Sequence, residues 1–262
     1  MDFKFRQGRV PLLISMPHVG TDVPDEIAAR MTPHAHPRQD TDWHLERLYA
    51  FAEDMGASTI AARWSRYVID LNRPPENTNL YPGMDTTGLC PVDTFRREPL
   101  YLEGQLPDQA EVEQRLQHYW RPYHQQLQAE LERLLATHGK VVLWDAHSIA
   151  SELPRFFEGK LPDLNFGTAE GRSCEPGMQE AVVRVAQAQD RFSVAVNGRF
   201  KGGHITRFYG QPARGINAIQ LEMCQCLYMD EESPFGYRAD RASQVEGLLR
   251  DLTGAALDWV RA

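Results

Sequence analysis

The chain has 262 residues, of which 42% are hydrophobic, 10% aromatic and 24% charged, as in an ordinary soluble globular protein. Its formal net charge of -8, without any Lys/Arg-rich run, argues against nucleic acid or an anionic membrane as a main partner. The chain has no apolar run of the roughly 18 residues that a membrane span requires, no signal-peptide core and no disulfide framework for its four cysteines. We therefore expect one cytoplasmic domain, residues 1–262, that acts on a small molecule.

The first chemical signal follows an apolar run over residues 11–16. This run predicts a buried strand that opens into a loop at Pro17-His18, so His18 lies at a strand end. A helix is predicted to begin near Asp40 and Asp42 and to end at Gly56. Either aspartate could cap that helix, but two carboxylates exceed what capping requires, so one of them is a candidate metal ligand.

Two further strands are predicted over residues 58–62 and 67–71. The second is followed by Asn72 and Arg73, and the double proline after them prevents helical continuation, so both side chains lie in an extended loop. An arginine fork can hold a carboxylate with two hydrogen bonds. A structural ion pair is the alternative interpretation of Arg73.

A long helical region over residues 107–138, divided at Pro122, leads to an apolar strand that begins at Val141. At the carboxyl end of this strand, Asp145 and His147 point to the same face of an extended segment. Asp145 can therefore bind one nitrogen of the His147 imidazole and orient the ring, while the other ring nitrogen binds a metal. Alternatively, His147 is a strand-end histidine that is satisfied by a neighbouring carboxylate.

The last third of the chain predicts a helix over 176–189, strands over 192–196 and 216–223, and a closing helix over 238–260. Between the strands, a glycine-rich segment contains Arg207, which could bind an anion or be a solvated charge at a hairpin tip. In the second strand, Glu222 is either a general base or an exposed edge-strand residue. Alternating strands and helices indicate an α/β fold with a mixed, mostly parallel sheet flanked by helices.

Five motifs, in order, resemble the N-formylglutamate amidohydrolase family of histidine degradation, which is related to zinc carboxypeptidases and aspartoacylase-like enzymes. They are Ser-Met-Pro-His-Val-Gly at 15–20, Ser-Arg-Tyr-Val-Ile-Asp-Leu-Asn-Arg at 65–73, Trp-Asp-Ala-His-Ser at 144–148, Asn-Gly-Arg-Phe-Lys-Gly-Gly-His-Ile-Thr-Arg at 197–207 and Gln-Leu-Glu-Met at 220–223. The resemblance spans nearly the whole chain and implies a carboxypeptidase-like fold.

The resemblance also implies roles for individual residues, which are His18 and His147 as metal ligands, Asn72 and Arg73 as the site of a substrate carboxylate, and Glu222 as the catalytic glutamate. Carboxypeptidases place a glutamate ligand three residues after the first histidine, where this chain has Thr21. We expect Asp42 to replace it, with Asp40 as the alternative. Arg66 and Arg207 are further candidates for substrate binding, and the sequence does not identify the arginine that binds a second carboxylate.

The expected reaction is the hydrolysis of N-formyl-L-glutamate to formate and L-glutamate, with a divalent metal, zinc by the resemblance, polarising the formyl carbonyl and its water. Two alternatives stay open at this point. One is hydrolysis of another N-acyl amino acid or of a C-terminal peptide bond, and the other is a carboxylate-binding module without turnover. The sequence leaves the oligomeric state undetermined.

Overall fold

The computed structural model describes residues 2–262 and contains a seven-stranded β-sheet. The strands are β1 (Phe3–Arg6), β2 (Leu12–Met16), β3 (Ser58–Ala62), β4 (Val141–Ile149), β5 (Leu164–Gly167), β6 (Val194–Val196) and β7 (Ile216–Cys224). Their order across the sheet is β1-β3-β2-β4-β7-β5-β6. Strand β1 is antiparallel to β3 and β5 is antiparallel to β7, whereas the other neighbours are parallel. The prediction of a mixed, mostly parallel sheet is confirmed.

Helices connect the strands and cover both faces of the sheet. They are α1 (Asp25–Ala28), α2 (Leu45–Leu48), α3 (Ala52–Met55), α4 (Gln109–Arg115), α5 (Arg121–His138), α6 (Pro176–Gln187), α7 (His204–Tyr209) and α8 (Ala239–Arg261). A π-helical turn, Leu116–Trp120, separates α4 from α5, and Pro122, which has no backbone N–H to donate to the preceding turn, follows it. The division predicted at Pro122 is confirmed. Across residues 2–262, no helix combines the length and apolar character needed to cross a bilayer.

The central strands are apolar on both faces because each face packs against helices. Val142 and Trp144 belong to the core formed with α6 and α8, whereas Val141 and Leu143 pack on the opposite side with α5. All nine residues of β4 and all nine of β7 are buried. Burial on both faces accounts for runs of continuous rather than alternating hydrophobicity, and it places any polar side chain of these strands in a largely dry environment.

Two of the predicted elements are wrong. Residues 67–71 form a buried turn rather than a strand, in which the Val68 amide bonds the Ser65 carbonyl (2.8 Å) and the Asp70 amide bonds the Leu89 carbonyl (2.7 Å). The run is apolar because the turn is buried, and not because it belongs to the sheet. The helix predicted from Asp40 is instead a loop followed by α2 and α3, because His44 adopts a left-handed conformation, with φ of 64°, just before α2.

The sequence prediction also missed two strands and shortened a third. The strands β1 and β5 have four residues each, too short for a clear periodic pattern. Strand β4 does not end before Asp145 but continues to Ile149, so His147 is held within the backbone ladder. Its position is therefore more rigid than that of a residue in a loop.

Candidate metal centre

Three buried side chains from separate parts of the chain converge on one point. His18 follows β2, His147 lies in the adjacent strand β4, and Asp42 lies in the loop before α2, where its amide bonds the His18 carbonyl (3.0 Å). The Nδ1 atoms of the two histidines are 3.1 Å apart, and Oδ2 of Asp42 lies 3.3 Å from Nδ1 of His147 and 3.7 Å from Nδ1 of His18. The structure thus brings together the three residues that the sequence predicted as ligands.

This arrangement fits a divalent transition metal. In tetrahedral zinc sites with ligand bonds of about 2.0–2.1 Å, neighbouring ligand atoms lie about 3.3 Å apart, close to the 3.1, 3.3 and 3.7 Å found here. Two imidazole nitrogens and one carboxylate oxygen are also a ligand set that leaves the fourth tetrahedral position open for water or substrate. We conclude that His18, Asp42 and His147 could hold such an ion.

Each histidine also has a carboxylate near its Nε2 atom, on the side of the ring away from the ligand cluster. Nε2 of His18 lies 2.7 Å from Oδ1 of Asp70, and Nε2 of His147 lies 3.1 Å from Oδ1 of Asp145. Nδ2 of Asn72 approaches the same His147 nitrogen at 2.9 Å and Oδ2 of Asp145 at 3.4 Å. Asp70 favours the His18 tautomer that carries the proton on Nε2, which leaves the Nδ1 lone pair directed at the ligand site. At His147 the Asn72 side-chain amide donates toward Nε2 beside the Asp145 carboxylate, and Nδ1 faces Asp42 and His18.

The surroundings of the cluster keep the carboxylates of Asp42 and Asp70 ionised. Burial alone would raise the pKa of Asp42, but hydrogen bonds and charge from His147 and His18 outweigh it and lower the pKa to about 2. Burial likewise opposes ionisation of Asp70, yet Arg66, His18 and Arg73 hold its pKa well below the usual range. Both carboxylates are therefore anionic at neutral pH.

Glu222 stands beside the metal cluster in the next strand. It is the register partner of His147 in the parallel ladder between β4 and β7, it is 8% exposed, and it lines a cavity that also exposes His18 and His147. Burial raises its pKa to about 8, and the charges of Asp42 and Asp145 add to this effect while His147 opposes it. The interpretation of Glu222 as an exposed edge-strand residue is wrong, because β7 is flanked by β4 and β5.

The cavity has an empty volume of about 590 Å³, including its open mouth. Arg66, Arg73 and Arg199 line it, together with Asn72. Arg207 does not line it, because its Nε donates to the Gly202 carbonyl (2.7 Å) and its guanidinium lies over the ring of Tyr81. The geometry therefore gives no support to Arg207 as a substrate ligand.

The two aspartates left open by the sequence occupy different environments. Asp42 joins the histidines, whereas Oδ2 of Asp40 accepts a hydrogen bond from the Phe95 amide (2.9 Å). Burial raises the pKa of Asp40 to about 6, although Arg66 opposes the effect. Neither aspartate caps α2, since that helix begins after His44 without a side-chain cap.

Sequence reasoning missed the roles of three residues at this site. Asp70 received none, although an acid two residues before Asn72 in a predicted site loop was a usable signal. Gln220 accepts a hydrogen bond from the Gly203 amide (2.7 Å) and lies 3.5 Å from Oε2 of Glu222. The sequence placed Gln220 on the same strand face as Glu222, but it did not indicate the hydrogen bond with the Gly203 amide. Arg199, eight residues before Arg207, had no distinguishing pattern.

A model of the N-formylglutamate amidohydrolase family matches residues 10–229 of the chain. The chain belongs to this family. It is 50% identical over 257 residues to the N-formylglutamate deformylase of Pseudomonas aeruginosa, covering 98% of this chain and 96% of that protein. It is also 50% identical over 255 residues to the N-formylglutamate deformylase of Pseudomonas putida, covering 97% and 95% of the two chains.

Solved structures agree with the family assignment. The N-formylglutamate amidohydrolase of Ralstonia eutropha JMP134 has a TM-score of 0.81 and 27% identity, with 98% of this chain and 96% of that chain covered. A protein of Agrobacterium tumefaciens has a TM-score of 0.76 and 18% identity, with 99% and 96% covered, and shows the shared fold.

Proposed function

We propose that this protein is a metal-dependent enzyme that hydrolyses N-formyl-L-glutamate to formate and L-glutamate, within one domain spanning residues 1–262. The observation that carries the proposal is the position of Glu222, which lies one strand away from a His-Asp-His cluster and faces a cavity lined by arginines. The names of the two Pseudomonas relatives support the substrate. By the family resemblance, the reaction is the last step of a histidine degradation route, and we place it in the cytoplasm.

The metal, zinc in our proposal, would be held by His18, Asp42 and His147. When bound there it would supply Lewis-acid polarisation of the formyl carbonyl and a lower pKa for the attacking water. Asp70 and Asp145 keep the two imidazoles oriented with Nδ1 toward the ion.

Glu222 acts as the general base and then as the general acid. Burial, which raises the pKa of this carboxylate, makes it basic enough to take a proton from water as that water attacks the formyl carbon. The protonated Glu222 then delivers the proton to the amide nitrogen as the carbon–nitrogen bond breaks, and glutamate leaves as the amine. Gln220, 3.5 Å from Oε2 of Glu222, restrains the orientation of the carboxylate.

Arg73 binds the substrate carboxylate that is nearest to the metal, with Asn72 beside it. Three of its five N–H groups are engaged, by the carbonyl and hydroxyl of Thr87 (2.8 and 3.2 Å) and by the Asn72 carbonyl (3.2 Å). One N–H on each terminal nitrogen therefore remains for an anion. Nη2 of Arg66 donates to Oδ2 of Asp70 at 2.7 Å, and this carboxylate lies between Arg66 and Arg73.

The decisive experiment measures formate release from N-formylglutamate by metal-loaded protein, by chelated protein, and after zinc is returned. We expect chelation to abolish activity and zinc to restore it. The Glu222→Gln variant should lose about 10²–10⁴-fold in kcat, which is the usual contribution of a general base, while binding as much zinc as the parent protein. Glu180→Gln, an exposed glutamate of α6, is the matched control.

Each arm has a result that contradicts the proposal. Full activity after chelation would rule out the metal, and full activity of Glu222→Gln would rule out this residue as the base. Metal-loaded parent protein that releases no formate would refute the substrate.

A further inference from the structure

Three arginines face the cavity, and two of them are already engaged by the protein. Arg66 is paired with Asp70 (2.7 Å) and stacks over the ring of Phe95, 4.6 Å from its centroid. Arg73 is held by Thr87 and lies 3.7 Å from the same Asp70 carboxylate. The single carboxylate of Asp70 is therefore shared by both guanidinium groups before any ligand binds.

Arg199 is different because it has no acidic partner. Its Nε donates to the Phe156 carbonyl (2.6 Å), and no salt bridge or further hydrogen bond of its guanidinium is found within residues 2–262. Four of its five N–H groups thus remain available. The guanidinium carbon lies 5.6 Å from the ring centroid of Tyr81, 5.8 Å from that of Phe156 and 5.1 Å from that of Phe200. These rings hold the arginine in place without using its donors.

The electrostatics agree with a cation that lacks its counter-ion. Burial works against the charges of Arg66 and Arg155, but the carboxylates around these two arginines reverse the effect and raise their pKa values. For Arg199 burial prevails and the pKa is lowered, despite Tyr81 and Glu222. Because a half-buried, unpaired guanidinium in a cavity is costly, an anionic ligand group would stabilise it.

The position of Arg199 distinguishes the two carboxylates of the proposed substrate. Arg73 is separated from His18 by a single carboxylate, that of Asp70, so the anion that it binds lies beside the metal. Arg199 follows β6, which is separated from β4 by β7 and β5. The chain segment that carries Arg199 thus follows the edge strand β6, whereas His18 follows β2, on the other side of β4. In N-formylglutamate the α-carboxylate carbon is one bond from Cα, next to the scissile amide, and the γ-carboxylate carbon is three bonds from Cα along the side chain.

We propose that Arg199 binds the γ-carboxylate of the substrate and makes the enzyme selective for a dicarboxylic N-formyl amino acid. This inference rests on the proposed hydrolysis of N-formylglutamate and adds the residue that distinguishes glutamate from glutamine at the side-chain end. Arg73 binds the α-carboxylate and Arg199 binds the γ-carboxylate. The formyl group is then placed at the proposed metal site.

The test compares N-formylglutamate with N-formylglutamine, which has a neutral side-chain amide in place of the γ-carboxylate. In Arg199→Gln, kcat/KM for N-formylglutamate should fall about 100-fold, the usual cost of a charge-assisted hydrogen-bonded pair, and for N-formylglutamine it should change less than about threefold. Most of the loss should be in KM, because Arg199 is remote from the reacting carbon. Arg191→Gln, which removes the same charge from an exposed position before β6, should match the parent protein.

The assignment is overturned if Arg199→Gln keeps the parent preference for N-formylglutamate, or if both substrates lose activity equally. It is also overturned if Arg207→Gln, rather than Arg199→Gln, removes the preference. Arg199→Lys provides a second measurement that retains the charge. It should lose about tenfold on N-formylglutamate alone because the planar fork is gone, and parent-like selectivity would count against the proposal. If the parent protein released no formate from N-formylglutamate, the proposed function would fail instead.

Discussion

Replacing Asp70 by asparagine tests whether a buried carboxylate organises this site. Asp70 is fully buried, and its carboxylate contacts Nη2 of Arg66 (2.7 Å), Nε2 of His18 (2.7 Å) and the backbone N–H of Asn72 (2.8 Å). Asparagine keeps the shape and one accepting oxygen, but it removes the negative charge. It also turns an N–H₂ donor toward partners that are themselves donors.

The magnitude follows from the geometry. At an effective dielectric constant of about 20, two unit charges 2.7 Å apart, as in the Asp70–Arg66 pair, attract by about 6 kcal/mol. The asparagine dipole recovers part of this, so the free energy of unfolding of the metal-free protein should fall by about 3–5 kcal/mol. Zinc affinity should fall about 10–100-fold, because His18 loses the carboxylate that orients it.

Urea unfolding of metal-free protein and zinc competition against a chromogenic chelator measure the two effects. Asp22→Asn is the matched control, because the Asp22–Arg63 pair has the same 2.7 Å separation but side chains that are 49% and 46% exposed. An exposed pair contributes about 0–1 kcal/mol. Equal destabilisation by the two variants, or unchanged zinc affinity in Asp70→Asn, would refute the reasoning.

Two further predictions concern the support of the Asn72 loop. Burial lowers the pKa of His124 to about 3, below its ordinary 6.5, so the unfolded chain binds more protons between these values and stability falls as pH drops from 6.5 toward 3. His124→Gln should flatten this slope in unfolding measured at pH 4–7, whereas a similar effect of His118→Gln, which changes an exposed residue, would argue against it. Gly203→Ala would place a Cβ 2.4 Å from Nδ2 of Asn72 and should lower kcat/KM more than about tenfold. Gly247→Ala is the control, because its Cβ would lie in open space on α8, and it should raise the free energy of unfolding by about 0.5–1 kcal/mol. Equal kcat/KM values for Gly203→Ala and Gly247→Ala would contradict the predicted effect of Gly203→Ala.

The features that the sequence predicted are those encoded over short stretches. Buried strands such as β2 and β4 are continuous apolar runs, and α5 carries a periodic apolar stripe. His18 and His147 could be expected to meet because each was predicted at the carboxyl end of a buried strand, and neighbouring parallel strands bring their carboxyl ends to one edge of the sheet. The acidic ligand was narrowed to two residues two positions apart, which local pattern alone could not separate.

The features that the sequence could not predict depend on distant partners. Arg199 lies in the same glycine-rich segment as Arg207, but its guanidinium is oriented by the carbonyl of Phe156, which is distant in the sequence. Residues 67–71 are apolar enough for a strand, but the bond of the Asp70 amide to Leu89 makes them a turn. In both cases the deciding contact is with a loop whose path has no periodic signature.

The pairing of His147 with Glu222 across the β4–β7 ladder has a consequence for how the family can diversify. Adjacent parallel strands are held about 4.8 Å apart by their backbone hydrogen bonds, so the spacing between the proposed base Glu222 and the proposed ligand His147 is set by the backbone rather than by side chains elsewhere. Arg73 and Arg199, in contrast, are carried by segments outside the strands. If these residues have the proposed roles, substitutions and insertions in those segments can change which acyl amino acid is accepted while His147 and Glu222 keep their relative positions.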